Sequence, residues 1–178
     1  MDRRSRRIAQ MGVGDLRMTL AHILLFSPEI GEADLLIHTG QEQEELRFRR
    51  GMERGAPGGL RWQEIVIGTQ SRTFITLQRD GITLAAEWSE ASGFQPVRPE
   101  APRLYVGFPL VGSEQFPFPM VLNSLALRPN EPRSGISLVE HEESLDGRVN
   151  RELLDRAGVG RLKKPRMESI IFGIVDEG

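Results

Sequence analysis

The sequence predicts an α+β domain whose main part is an antiparallel β meander packed with a few helices. Three observations carry that prediction. Runs of strand length, alternating or continuously apolar, follow one another through the middle of the chain, separated by short polar turns. The pair Asp80-Gly81 falls between two of these runs, where a tight hairpin needs residues that tolerate positive φ. Nineteen glycines and eleven prolines in 178 residues demand many turns, which suits short strands better than a helix bundle.

Taken in order, the chain divides into a basic lead over 1–14, a single α+β domain over 15–158, and a basic link with an apolar tail over 159–178. The lead, "MDRRSRRIAQMG", reads as a solvated terminus or the tail of a helix. "DLRMTLAHILLF" repeats Leu16, Leu20, Ile23 and Leu24 at helical spacing, with Asp15 as N-cap and "SPEIGEA" as the stop. "DLLIHT" and "ELRFRR" then read as strands, and "GMERGAPGG" as a loop with nothing to bury. "RWQEIVIG", "RTFITLQR" and "GITLAAEWSE" form the meander proper. "SGFQPVRPEAP" is a proline-stiffened connection, "RLYVGFPLV" a further strand, and "PMVLNSLAL" an extended segment after it. "ISLVE" is a short strand beyond the "RPNEPRSG" turn. "SLDGRVNRELLDRAG" is a helix whose stripe is Val149, Leu153, Leu154 and Ala157 and whose stop is Gly158. The tail "IIFGIV" is either a final strand or the start of an element that continues elsewhere.

Composition narrows the chemistry. The formal net charge of −2 gives no whole-molecule field for nucleic acid or an anionic membrane, so neither is an expected partner. With no cysteine there is no disulfide, thiolate nucleophile or sulfur-ligated metal. The longest apolar run near the N-terminus, "LAHILLF", is broken by His22, too short to span a bilayer and without a cleavage site behind it. A soluble cytoplasmic protein is the expectation.

Catalytic signatures are thin. His22, His38 and His141 lie far apart, and "HEES" pairs His141 with Glu142 and Glu143 but lacks the second histidine of a zinc-protease helix, so no metal is expected. Ser113 in "VGSEQ" follows a glycine, yet the second glycine of a nucleophile elbow is missing. "MGVGDL" precedes a helix as a phosphate cradle would, without the lysine and hydroxyl residue that complete one.

The least generic stretch is "FPFPMVLNSLALRPNEPRSG", Phe116 to Gly135. Prolines restrict the backbone at a strand entrance, Asn123 interrupts an apolar run, and Glu131, Pro132 and Gly135 surround Arg133 in a polar turn. One reading makes this a local turn whose amide satisfies nearby backbone. The other makes it a brace that holds Arg133 outward, where a planar, permanently charged guanidinium suits phosphate or carboxylate recognition.

The segment "VGFPLVGSEQFPFPMVLNSLALRPNEPRSGISL", with "SLDGRVNRELLDRA" after it, resembles the region that follows the nucleotide-binding domain in sacsin-like, heat-shock-chaperone-like GHKL ATP-binding proteins. "LAHILLFSPEIGEADLLIHTG" is similar to the helix-to-strand lead-in of the same region, so the resemblance runs from about Leu16 to Ala157. It implies a transducer-like α+β fold and a basic loop residue that reaches a neighbouring ATP site and senses the terminal phosphate. Arg133 matches that residue, with Asn123 shaping the strand and turn beneath it. The superfamily's catalytic glutamate, magnesium-binding asparagine, aspartate-x-glycine-x-glycine loop and glycine-rich lid have no counterpart in this sequence. "RDGIT" and "LDGRVN" each lack the second glycine. The resemblance therefore implies no activity alone. ATP and magnesium would be engaged only through a partner GHKL-type nucleotide-binding domain, in cis or in trans, with client proteins as further partners; the chain begins where that domain is expected to end. The alternative is a free-standing β-rich protein-interaction module with no nucleotide coupling. An autonomous hydrolase built on Ser113 or on the acids beside His141 is the remaining option.

Overall fold

The structure, a computed structural model, describes residues 3–39, 42–131, 133–136, 138 and 144–158. Five strands zip in succession: β1 (Glu32–Thr39), β2 (Glu42–Gly55), β3 (Leu60–Ile67), β4 (Gln70–Arg79) and β5 (Ile82–Ser89), each antiparallel to the next. The β4–β5 hairpin turns at Asp80 (φ 50°) and Gly81 (φ 77°), both left-handed as this turn demands. Short strands complete the sheet: β6 (Gly93–Gln95), β7 (Leu104–Val106), β8 (Phe108–Pro109) and β9 (Val121–Asn123). The order is β1-β2-β3-β4-β5-β9-β7-β8, with β6 also pairing β5. β7 and β9 run parallel, the one such pair among the described strands. The fold is α+β with a dominant meander, as the sequence predicts.

Strand alternation assigns the two sheet faces. Phe48, Ile65 and Phe74 point one way and bury Ala21 and Leu24 of α1 (Arg3–Phe26). Ile82, Leu84, Ala86, Leu104 and Leu122 point the other way and bury Leu153, Leu154 and Ala157 of α2 (Leu145–Arg156). One helix therefore covers each face. α2 stops as expected at Gly158 (φ 75°), which turns the chain out of the helix, and at its start Ser144 Oγ accepts from the Gly147 N–H at 3.1 Å.

Several boundaries differ from the sequence reading, among them "SGFQPVRPEAP", which opens with the short strand β6. α1 starts at Arg3, so Asp15 lies inside the helix rather than capping it, and Thr19 Oγ1 donates to the Asp15 carbonyl at 2.8 Å. Once the packed turns around Leu24 nucleate, adding arginines and alanine costs little, and the basic lead propagates the helix. This also removes the phosphate-cradle reading of "MGVGDL", because Gly12 and Gly14 are helical. β2 continues through the predicted loop at 51–55: pairing with β3 satisfies its backbone without burying its side chains, and a bulge separates Arg50 from Glu53. "RLYVGFPLV" is two strands, folded back at Gly107 (φ 71°). "PMVLNSLAL" is extended only over Val121–Asn123 before it turns. Of "ISLVE", Ile136 forms a single bridge with Pro129. Most of the rest, and the tail "IIFGIV", lies outside the described residues.

Arg50 Nη2 donates to the Leu24 carbonyl, so a cation from the sheet closes the C-terminus of α1. His22, one turn earlier, sits among Phe26, Phe74 and Tyr105 and is only 7% exposed. Burial, then the Arg72 charge, lowers its pKa from 6.5 to about 4, against smaller opposing effects of Glu87 and the Met18 carbonyl. The folded protein keeps this ring neutral while the unfolded chain protonates it, so stability falls as pH drops from 6.5 towards 4. The loss reaches about 3 kcal/mol at most. His22→Phe, which keeps the ring packing, should flatten that part of the pH profile in urea melts at pH 7 and 4.5. An unchanged slope would count against it.

Candidate functional site

The Phe116–Gly135 stretch is held in place by part-buried hydrogen bonds from several directions. Arg103 donates from Nη1 to the Phe118 carbonyl at 2.7 Å and from Nε to the Glu114 carbonyl at 3.3 Å. Ser113 is buried, and its Oγ accepts the N–H groups of Arg103 and Leu104, each at 3.1 Å. That geometry makes Ser113 a backbone anchor and removes it as a nucleophile candidate, since both contacts direct its oxygen inward.

Asn123 is buried in β9, in register between Thr83 of β5 and Tyr105 of β7. Its Oδ1 accepts the Gly107 N–H at 2.9 Å, so the amide fixes the β7–β8 corner. The chain then leaves the sheet, with Leu127 buried on the α2 side. Arg128 is clamped at both backbone groups by Asn150 of α2: its N–H reaches Oδ1 at 2.8 Å and its carbonyl accepts from Nδ2 at 2.9 Å. Asn150 is fully buried, so Asn150→Ala strands polar backbone and should cost about 1–3 kcal/mol, read as a lower urea midpoint at unchanged slope.

Beyond this clamp the turn closes on Asn130. The Asn130 N–H donates to the Gly135 carbonyl at 3.0 Å, and Gly135 returns its N–H to Asn130 Oδ1 at 3.0 Å. The Asn130 carbonyl accepts the Arg133 N–H at 2.5 Å. Arg133 itself is left-handed (φ 67°), a conformation that disfavours a side chain, and it is exposed. Its guanidinium makes no ion pair among the described residues. Ser134 packs against Gly112 (φ 114°), where a Cβ would meet Ser134 Cβ at 2.9 Å and its carbonyl oxygen closer still. Glu131 is exposed beside the turn.

Of the residues singled out from sequence, the structure puts Arg133, Glu131 and Gly135 in one braced turn and Asn123 in the sheet below. Pro132 lies outside the described residues, as do His141, Glu142 and Glu143. His38 is exposed on β1 and His22 is buried. Among the described residues no group of three acids or histidines is placed to hold a metal ion, and no helix is long and apolar enough to cross a membrane. Arg103, Asn130 and Asn150 were not legible as part of the site. Only Asn130, in "RPNEPRSG", carried a local signal, as an asparagine opening a turn.

No family model, curated protein or solved structure matches this chain.

Proposed function

We propose that this chain is the non-catalytic, transducer-like middle segment of a sacsin-like, chaperone-type ATPase of the cytoplasm. Arg133 senses the terminal phosphate of ATP held by a GHKL-type nucleotide-binding domain, in cis or in trans. The observation that supports it is the bracing of one exposed arginine that makes no ion pair among the described residues. Three hydrogen bonds close its turn, Asn150 ties the turn to α2, and Ser134 seats it against Gly112. A guanidinium on so rigid a mount would meet a phosphoryl group with little ordering cost. ATP and magnesium belong to the partner domain, because the sequence carries none of the superfamily's own nucleotide-site motifs. Supplying a sacsin-like nucleotide-binding domain, fused or added, is expected to restore ATP turnover that Arg133→Ala then removes. Turnover indifferent to that substitution would reject the sensor role.

A second reading, a free-standing β-rich interaction module, is favoured by an apolar groove between α1, the start of β1 and β8. Leu16, Leu20, Ile30, Ala33 and the exposed Phe108 line it. That reading expects a partner bound without nucleotide and regardless of Arg133.

A further inference from the structure

The α1 face of the sheet carries a separate cleft that shares no lining residue with the Arg133 turn. It opens between α1, β5 and the connection at 95–101 and holds about 570 Å³ of space, its open mouth included. Its lower walls are apolar: Val97, Ala101 and Val121, with Met18 and Ala85 beside them. Its charged residues are Arg17, Arg72, Arg98 and Glu87.

Two of the three arginines are already matched. Arg72 grips Glu87 through two bonds, Nε to Oε1 at 2.7 Å and Nη2 to Oε2 at 2.5 Å, and Arg17 bonds Glu44. Burial alone would raise the Glu87 pKa, but the Arg72 bonds hold it below the usual range, so this carboxylate stays ionised. Arg98 makes no side-chain hydrogen bond or ion pair among the described residues. The cleft thus carries one guanidinium with no hydrogen-bonded partner, felt by Glu87 only through space, beside apolar lining residues. At its inner wall is His22, whose buried Nδ1 closes no hydrogen bond, although the Met18 carbonyl one turn back acts on the ring.

We propose that this cleft binds a short aliphatic monocarboxylate, its carboxylate on Arg98 and its hydrocarbon against Val97, Ala101 and Val121. One free guanidinium matches one carboxylate in charge and in fork geometry. The apolar floor rewards a branched body of a few carbons and gives nothing to a bare inorganic anion. The same chemistry is presented by a free short-chain acid and by the C-terminal valine of a peptide. The inference stands apart from the ATP-sensing reading, since Arg133 plays no part in it.

Amide NMR of the full chain tests it, with isovalerate, its neutral amide isovaleramide, and a short peptide ending in valine as carboxylate or as amide. Isovalerate is expected to shift the amides of Val97, Arg98 and Ala101 saturably, and isovaleramide is not. Arg98→Ala, an exposed position that leaves the core intact, should weaken binding by at least about tenfold, and Arg133→Ala should leave it unchanged. Tighter binding of the peptide carboxylate than of isovalerate assigns the site to a chain terminus; the reverse assigns it to a free acid. Absence of shifts with both carboxylates overturns the proposal. So does equal binding of acid and amide, or an Arg98→Ala variant that binds like the parent.

Discussion

On the ATP-sensing proposal, Arg133→Ala is expected to lower ATP turnover by the chain joined to a GHKL-type nucleotide-binding domain about 10³-fold while leaving the chain's own unfolding midpoint nearly unchanged. The side chain is exposed and makes no ion pair among the described residues, so its removal breaks no ion pair among them. The magnitude is that of an arginine stabilising charge on a transferring phosphoryl group. Arg133→Lys keeps the charge but loses the planar fork, and should recover only part of the rate. Arg133→Gly is the sharper probe. At φ 67° a glycine relieves the backbone, so this variant should be more stable by about 0.5–1 kcal/mol yet as inactive as the alanine variant. A residue that costs stability where it stands and supplies turnover is the signature of a functional position. If all three variants turn over ATP at the parental rate, Arg133 belongs to an ordinary surface turn.

Gly112→Ala is expected to destabilise the chain by about 3 kcal/mol, the largest single-residue effect anticipated outside the core. Two costs add at this position. The backbone sits at φ 114°, which side chains rarely adopt, and the new methyl would press on the Ser134 backbone. Backbone yields less readily than the end of a flexible side chain, so the turn itself must move. On the ATP-sensing proposal the same variant should therefore reduce turnover by displacing Arg133. Gly135→Ala provides the control: its Cβ would meet nothing within 4 Å, and its stability should stay within about 0.5 kcal/mol of the parent. Equal midpoints for the two variants in urea would refute the strained contact.

The meander was legible because each of its strands pairs with its neighbour in sequence, so pattern and turn chemistry specify it locally. Asp80-Gly81 and the Val149–Ala157 stripe belong to the same category. The strand at 51–55 was hidden because its side chains bury little; its order comes from β3, which lies further along the chain. The parallel pairing of β7 with β9 is likewise a non-local choice with no local signature. Within the site, the turn and its arginine could be picked out from prolines and asparagines alone. Their anchors could not: Arg103, Ser113 and Asn150 each bond backbone groups nine to 22 residues away. Such bonds depend on the finished packing of α2 and the sheet, and the residue types involved are common on any surface.

The place of β9 beside β5 also sets an order of assembly. Strands β1 to β5 can close by successive hairpins as the chain leaves the ribosome, each step joining near neighbours. Beyond the stretch that β6 covers, the far rim of β5 at Thr83, Leu84 and Ala85 stays open until Val121–Asn123 arrive and insert between β5 and β7. During synthesis that interval exposes a half-finished, adhesive strand, and pulse-labelled amide exchange should find Thr83, Ala85, Val121 and Asn123 gaining protection together, after the hairpins.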